Sequence, residues 1–263
     1  MSIITIEHNG QIFRADMSRA IDLSIAVDFS APRVHAFDAP DPAAQPLAAG
    51  NFVGDVSHGG SCNCSTYSLT PHCNGTHTEC AGHITREFMS VNSIAPTSLL
   101  RATLISIMPH RTATQFSPDD RIITRDSLQQ KLGRPPCNAV IVRTLPNNKL
   151  NADYDTFCPA YFSADALAWL AEQGVEHLLV DLPSVDRMRD NGLLLAHRAF
   201  WEMPRGSTLL PEAKRARATI TELIYVPDDV ADGEYLLDLQ VAPLEADAAP
   251  SRPVLYPLLN KHD

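Results

Sequence analysis

The chain has 263 residues, 44% of them hydrophobic and 20% charged, and 21 Lys and Arg against 31 Asp and Glu give a formal charge of −10. This length can bury a sizeable core, and this composition excludes a mostly disordered chain. The acidic balance, with a pI near 5.4, argues against nucleic acid and against an anionic membrane surface as partners, because both require clustered Lys and Arg.

The first residues, Met1 to Phe13, include Glu7, His8 and Asn9 and show no apolar run of the kind that opens a secretory signal. The longest apolar-leaning stretch, Ser98 to Met108, is interrupted by Arg101 and is too short for a membrane span. A cytoplasmic location is therefore expected. Six Cys are far too few for a disulfide scaffold, so the thiols are expected to be free or metal-bound.

In chain order, Asn9-Gly10 between Ile3–Glu7 and Gln11–Ala15 predicts a β-hairpin. A strand is expected at Ile21 to Phe29. Residues 31–50, with Pro32, Pro40, Pro42 and Pro46, are expected to form a surface loop. Strands follow at Leu99–Met108 and Ala139–Leu145, with a helix from Arg125 to Leu132 stopped by Gly133 and Pro135. Ser163 is placed to cap a helix over Ala164–Gln173, and the apolar run Leu178–Leu182 completes a βαβ step. Further strands are expected at Ala218–Val226, Glu234–Val241 and Arg252–Leu258. The pattern predicts one mixed α/β domain over residues 1–263, rich in strands, with the hairpin 1–16 as an extension.

Four of the six Cys and four of the ten His fall between residues 58 and 83: His58, Cys62, Cys64, His72, Cys73, His77, Cys80 and His83. Within this stretch Cys73, His77, Glu79 and His83 are spaced by four, two and four residues. In extended chain these positions share a face, and in a helical turn gaps of four share a face as well. Thiolate, imidazole and carboxylate are ligands of Zn²⁺ and similar ions. Gly75 gives the backbone freedom to bend between them. Three readings stand side by side. A zinc finger has Cys64, His77 and His83 at finger-like spacing, but Cys62-x-Cys64 is too tight and no basic helix follows. Alternatively, the thiols and imidazoles are simply packed. The third reading is a catalytic metal site completed by distant residues. Cys62, Cys64 and Cys80 are read as structural. Asp181 and Asp186 are read as loop acids that bond backbone N–H groups.

Cys73-Asn74-Gly75-Thr76-His77-Thr78-Glu79-Cys80-Ala81-Gly82-His83 resembles the signature His-x-Gly-Thr-His-x-Asp-x-Pro-x-His of the cyclase family, metal-dependent hydrolases that include bacterial kynurenine formamidase. Gly75, Thr76, His77 and His83 match. Cys73, Glu79 and Ala81 replace His, Asp and Pro, and His72, next to Cys73, is the alternative ligand after a one-residue shift. Ile21-Asp22-Leu23-Ser24, the segment from Gly174 to Asp186, Ala196-His197-Arg198 and Thr219 to Ile224 resemble further family segments in the same order.

The resemblance implies an α/β fold with a mostly β core and flanking helices, of the swivelling β/β/α type, assembled as a homodimer or homotetramer. It implies one or two divalent ions, Zn²⁺ ahead of Mn²⁺, held by Cys73, His77, Glu79, His197 and Glu222, with His83 as the catalytic acid/base group. The implied reaction is hydrolysis of an amide C–N bond in a small N-formyl or cyclic amide substrate by metal-bound hydroxide. The three replacements leave a second reading, a catalytically impaired member that binds a small ligand. Taken singly, His197 reads as a core histidine, and Glu222 could instead pair with Arg215 or Arg217.

Overall fold

A computed structural model describes residues 2–8, 11–31, 34–96, 99–133, 138–147 and 149–259. Eight strands form the main sheet: β1 (Ile21–Asp22), β2 (His77–Glu79), β3 (Leu100–Ile107), β4 (Ala139–Thr144), β5 (His177–Val180), β6 (Thr219–Glu222), β7 (Gly233–Val241) and β8 (Ala248–Pro257). Their order is β7-β3-β4-β5-β6-β2-β8-β1, and a further β7–β8 pairing closes seven of them into a barrel. β3, β4, β5 and β6 run parallel, while β2, β7 and β8 close the barrel through antiparallel pairs. The long β8 divides one edge, residues 248–250 pairing with β2 and residues 254–255 with β1.

The parallel strands are buried on both faces, which is why they read as continuous apolar runs. Along β4, Ala139 and Ile141 pack with Leu104, Leu179, Leu237 and Leu255 inside the barrel. The alternate Val140 and Val142 pack outward with Leu167, Leu170, Phe200 and Trp201. That outer layer comes from the connections between parallel strands, including α2 (Arg125–Leu132), α3 (Ala164–Glu172) and α4 (Leu195–Phe200). The α/β architecture with a mostly β core is thus as expected, and so is the βαβ step through α3.

Several local expectations need correction. The strand from Ile21 ends at Asp22, whose carboxylate accepts from the N–H and hydroxyl of Ser24 at 2.9 and 2.6 Å and turns the chain out of the ladder. Within 31–50, residues Ala43–Pro46 pair with Ser65–Ser68 as an exposed two-stranded ribbon. Ser163 precedes α3 but makes no side-chain cap, its hydroxyl donating to the carbonyl of Ile123 instead. Cys62 and Cys64 are exposed and fill no core, whereas Cys80 is fully buried. The N-terminal hairpin pairs Ile3–His8 with Gln11–Asp16. Its expected turn at Asn9-Gly10, the helix stop at Pro135, and Cys137 lie outside the described residues. Among the described residues no helix is long and apolar enough to cross a membrane.

Candidate metal centre

β2 sits between β6 and β8 and carries two of the expected ligands on one face. His77 and Glu79 are fully buried, two residues apart. Glu222 on β6 lies directly opposite His77 in the antiparallel register, which puts both side chains on that face. The intervening Thr78 points the other way, where its hydroxyl meets that of Thr221 at 2.8 Å. Thr76 anchors the approach to β2: its hydroxyl accepts from the N–H of Ile25 at 2.7 Å and donates to the carbonyl of Leu223.

His197 comes from α4. Asp186 accepts from the backbone N–H groups of Ala196 and His197 at 2.7 and 3.0 Å, and from His197 Nδ1–H at 2.6 Å. One carboxylate therefore caps the helix and aims the imidazole, whose Nε2 lies 2.9 Å from Glu79 Oε1 and 3.7 Å from Glu222 Oε1. His77 Nδ1–H donates to the carbonyl of Gly75 at 3.0 Å, leaving its Nε2 3.5 Å from Glu222 Oε2. His83, on a short 3-10 turn, is less buried and approaches Glu79 Oε2 at 3.9 Å through Nδ1.

Cys73 lines the same cavity as His72, His197 and Glu222. It belongs to α1 (Pro71–Asn74), a single helical turn in which consecutive side chains diverge by about 100°. That turn brings His72 to the cluster: its Nδ1 lies 3.1 Å from Glu79 Oε2 and its Nε2 3.0 Å from Asp247 Oδ2. Three groups of side chains could hold an ion: His72, His77 and Glu79; His72, His83 and Asp247; Glu79, His83 and His197. Among the described residues Cys73 completes none of them. The donors of these groups are nitrogen and oxygen. Glu222 lies beside His77 and His197 and pairs with neither Arg215 nor Arg217; its Oε1 accepts from the N–H of Val185 at 2.8 Å. Arg215 instead bonds the carbonyls of Phe200 and Val175.

Two buried polar atoms are consistent with a cation at this centre. His77 Nε2 has no hydrogen-bond partner, and Glu79 Oε2 has none in hydrogen-bond geometry. Leaving such atoms unmatched is costly unless something binds them. Electrostatics point the same way. Burial opposes ionisation of Glu79, yet the imidazoles of His83 and His197 hold its carboxyl well below the usual range. Burial also opposes charge on His72 and His197, but the carboxylates outweigh it. Asp247 and Glu79 raise His72 to about 10, and Glu79 and Asp186 hold His197 well above the ordinary imidazole value. The donors fit a divalent ion. Each inward nitrogen faces a carboxylate, and the outer nitrogens of His72, His77 and His197 are held by Asp247, the Gly75 carbonyl and Asp186, the outer-shell pattern of metal-ligating histidine.

The cluster opens on a cavity of about 610 Å³ whose wall includes His72, His83, His197 and Glu222, with apolar surface from Phe37 and Met188. Five non-glycine residues of this wall, Phe37, Asp38, Arg189, Asn191 and Leu194, have positive φ between 49° and 64°. Such concentration of left-handed backbone is characteristic of a binding site.

The sequence matches the Cyclase family model over residues 21–187. The chain belongs to the cyclase family. Kynurenine formamidase of Bacillus mycoides is 32% identical over 120 residues, 45% of this chain and 49% of that protein. The cyclase-family chain thus spans about half the length of the first such relatives it matches. Kynurenine formamidase of Bordetella pertussis is 27% identical over 197 residues, 74% of this chain and 81% of that protein. Among solved structures, isatin hydrolase A from Ralstonia solanacearum superposes with a TM-score of 0.64 at 19% identity, covering 92% of each chain. A "predicted metal-dependent hydrolase from Bacillus stearothermophilus" superposes at 0.59 and 17% identity, covering 90% of this chain and 98% of the other. These likenesses show the fold. The family match ends before His197, Glu222 and Asp247, so their place in the centre rests on geometry.

The sequence offers His72 only as an alternative to Cys73 after a one-residue shift, and it gives neither Asp186 nor Asp247 as part of the centre. Asp186 was assigned its backbone bonds but not its imidazole. The signal available for His72 was its adjacency to Cys73. Asp247 carried none, because only the β2–β8 register brings it near.

Proposed function

We propose that this protein is a metal-dependent hydrolase of an amide C–N bond, acting on a small N-formyl or cyclic amide. The observation that carries the reading is the buried His77 Nε2, which has no hydrogen-bond partner, inside a ring of imidazoles and carboxylates that borders a cavity of about 610 Å³. His77, Glu79, His197 and Glu222, with a further donor from α1, would hold one or two ions, Zn²⁺ or Mn²⁺. A bound divalent ion supplies Lewis acidity and a nucleophile at neutral pH. The chain's own residues do the rest. Phe37 and Met188 offer an apolar wall that excludes water from one side of a ring substrate. His83 lies on the cavity wall with Nδ1 toward Asp247 and Glu79, and its Nε2 would take the proton released by the attacking water and deliver it to the leaving nitrogen. Asp186 keeps His197 in one tautomer.

The test is metal analysis of the purified protein together with turnover of N-formyl aromatic amines and cyclic amides. Activity that a chelator removes and the metal restores is expected. His83→Ala should lower kcat by about 10²–10⁴-fold while metal content holds. Stoichiometric metal with no turnover of either substrate class would favour the ligand-binding alternative, and absence of metal uptake would overturn the reading. Cytoplasmic residence and a homodimeric or homotetrameric assembly are part of the same proposal.

A further inference from the structure

We propose that the first ligand position of the family motif has moved in this chain from residue 73 to residue 72, and that Asp247 is the positioning residue that makes His72 a ligand. This rests on the metal-centre reading above.

The geometry repeats a pattern. His197 gives Nδ1–H to Asp186 and turns Nε2 to Glu79; His77 gives Nδ1–H to the Gly75 carbonyl and turns Nε2 inward. His72 does the same with its nitrogens exchanged, Nε2 at 3.0 Å from Asp247 Oδ2 and Nδ1 at 3.1 Å from Glu79 Oε2. An outer carboxylate fixes the tautomer and directs the lone pair of the other nitrogen at the cluster. In the helical turn Pro71–Asn74 both His72 and Cys73 border the cavity, but among the described residues it is His72 whose donor atom lies with those of His77 and Glu79.

Asp247 is held in place by the fold. It immediately precedes β8, whose first residue, Ala248, pairs with Glu79. Its carbonyl accepts from the N–H of Cys80 at 3.1 Å. A Cβ at position 82 would stand 2.5 Å from the Met89 carbonyl oxygen and 3.3 Å from Asp247 Cβ, so Asp247 packs closely against Gly82. Asp247 Oδ2 also lies 3.5 Å from His83 Nδ1, and the His72 and His83 rings stack at 4.3 Å between centroids. One carboxylate thereby aligns the relocated ligand and the acid/base group.

The experiment loads the full-length protein with Co²⁺ and reads two things: affinity by competition with a chromophoric chelator, and the absorption spectrum, in which a thiolate ligand adds an intense near-ultraviolet charge-transfer band. The wild type is expected to bind Co²⁺ without that band, and Cys73→Ser to leave spectrum and affinity as they were. Asp247→Ala should weaken binding by about 10–100-fold and alter the ligand-field bands, with Asp247→Asn between, since the amide oxygen still accepts a hydrogen bond. Thermal unfolding of the metal-free variants checks that each is folded; a misfolded Asp247→Ala leaves Asp247→Asn and Asp247→Glu to carry the comparison. A thiolate band in the wild type that Cys73→Ser removes would overturn the relocation. Wild-type affinity and spectrum in the Asp247 variants would overturn the positioning role. Failure of the wild type to bind any ion would instead overturn the metal-centre reading, and it shows before any variant is made.

Discussion

On the proposed reading, a metal bound at this centre must displace protons, and the environment of its histidines gives affinity a pH dependence. His72 is raised to about 10 by Asp247 and Glu79, against an ordinary value of 6.5, and His197 is held well above that value by Glu79 and Asp186. Both are therefore imidazolium in the metal-free protein at pH 7, and each must lose its proton before it can donate a lone pair. Each displaced proton makes affinity rise about tenfold per pH unit, or about 1.4 kcal/mol, as long as the pH is below that group's value. Between pH 7 and pH 9 the apparent Zn²⁺ affinity should thus rise about 100-fold from His72 alone, and further if His197 titrates in the same range. An imidazole of ordinary basicity would stop contributing just above pH 7. Competition against a chelator of known protonation gives the slope. Calorimetry in two buffers of different ionisation enthalpy gives the protons released, about one to two per ion. His72→Ala should reduce that number by about one. An affinity flat between pH 7 and 9, with no proton release, would refute the reasoning.

Gly75 has φ 170°, an extended conformation open to any residue, but an added Cβ would meet the Ile25 carbonyl oxygen and Val27 Cγ2 at 2.9 Å each. Gly75→Ala should therefore cost about 1–3 kcal/mol in chemical denaturation, and an unchanged midpoint would show that the neighbours yield freely. Thr78→Val and Thr221→Val each leave a fully buried hydroxyl without its partner and should cost about 1–3 kcal/mol, while the double variant should cost less than the sum; strict additivity would mean the hydroxyls do not depend on each other. Burial, partly offset by Glu176, holds His177 below the ordinary 6.5, so the unfolded chain takes up its proton first as the pH falls. Stability from this group is complete above pH 6.5 and is lost toward its lower folded value, and His177→Gln should flatten the urea midpoint between pH 7 and pH 5.

How much of this was legible depends on whether the determinant is local. The strands at Leu100–Ile107 and Ala139–Thr144 and the helix Arg125–Leu132 announce themselves by apolar runs and a cap, because each is specified within its own window. His77 and Glu79 were legible as a pair for the same reason, two residues apart on one strand. Gly75 was legible as important but for the wrong cause: it admits Ile25 and Val27 rather than bending the chain. Asp247 was not legible at all. It reaches His72 across 175 residues through the pairing of β8 with β2, and no spacing in the sequence encodes that register.

The one-residue shift from Cys73 to His72 also has an electrostatic logic. Glu79, Glu222, Asp186 and Asp247 surround the centre, and Glu79 has no exposed surface at all. A thiolate would add another negative charge to this group. Burial, then the charges of Glu222 and Asp155, push the Cys73 thiol up to about 11 in the metal-free protein. A neutral imidazole brings a lone pair and no charge, and Asp247 accepts a hydrogen bond from the N–H on its far side. With the carboxylates already present, the donor that complements a dication here is the uncharged one. The helical turn at Pro71–Asn74, by choosing which of the two adjacent side chains faces Glu79, selects the residue whose chemistry the acidic surroundings can accept.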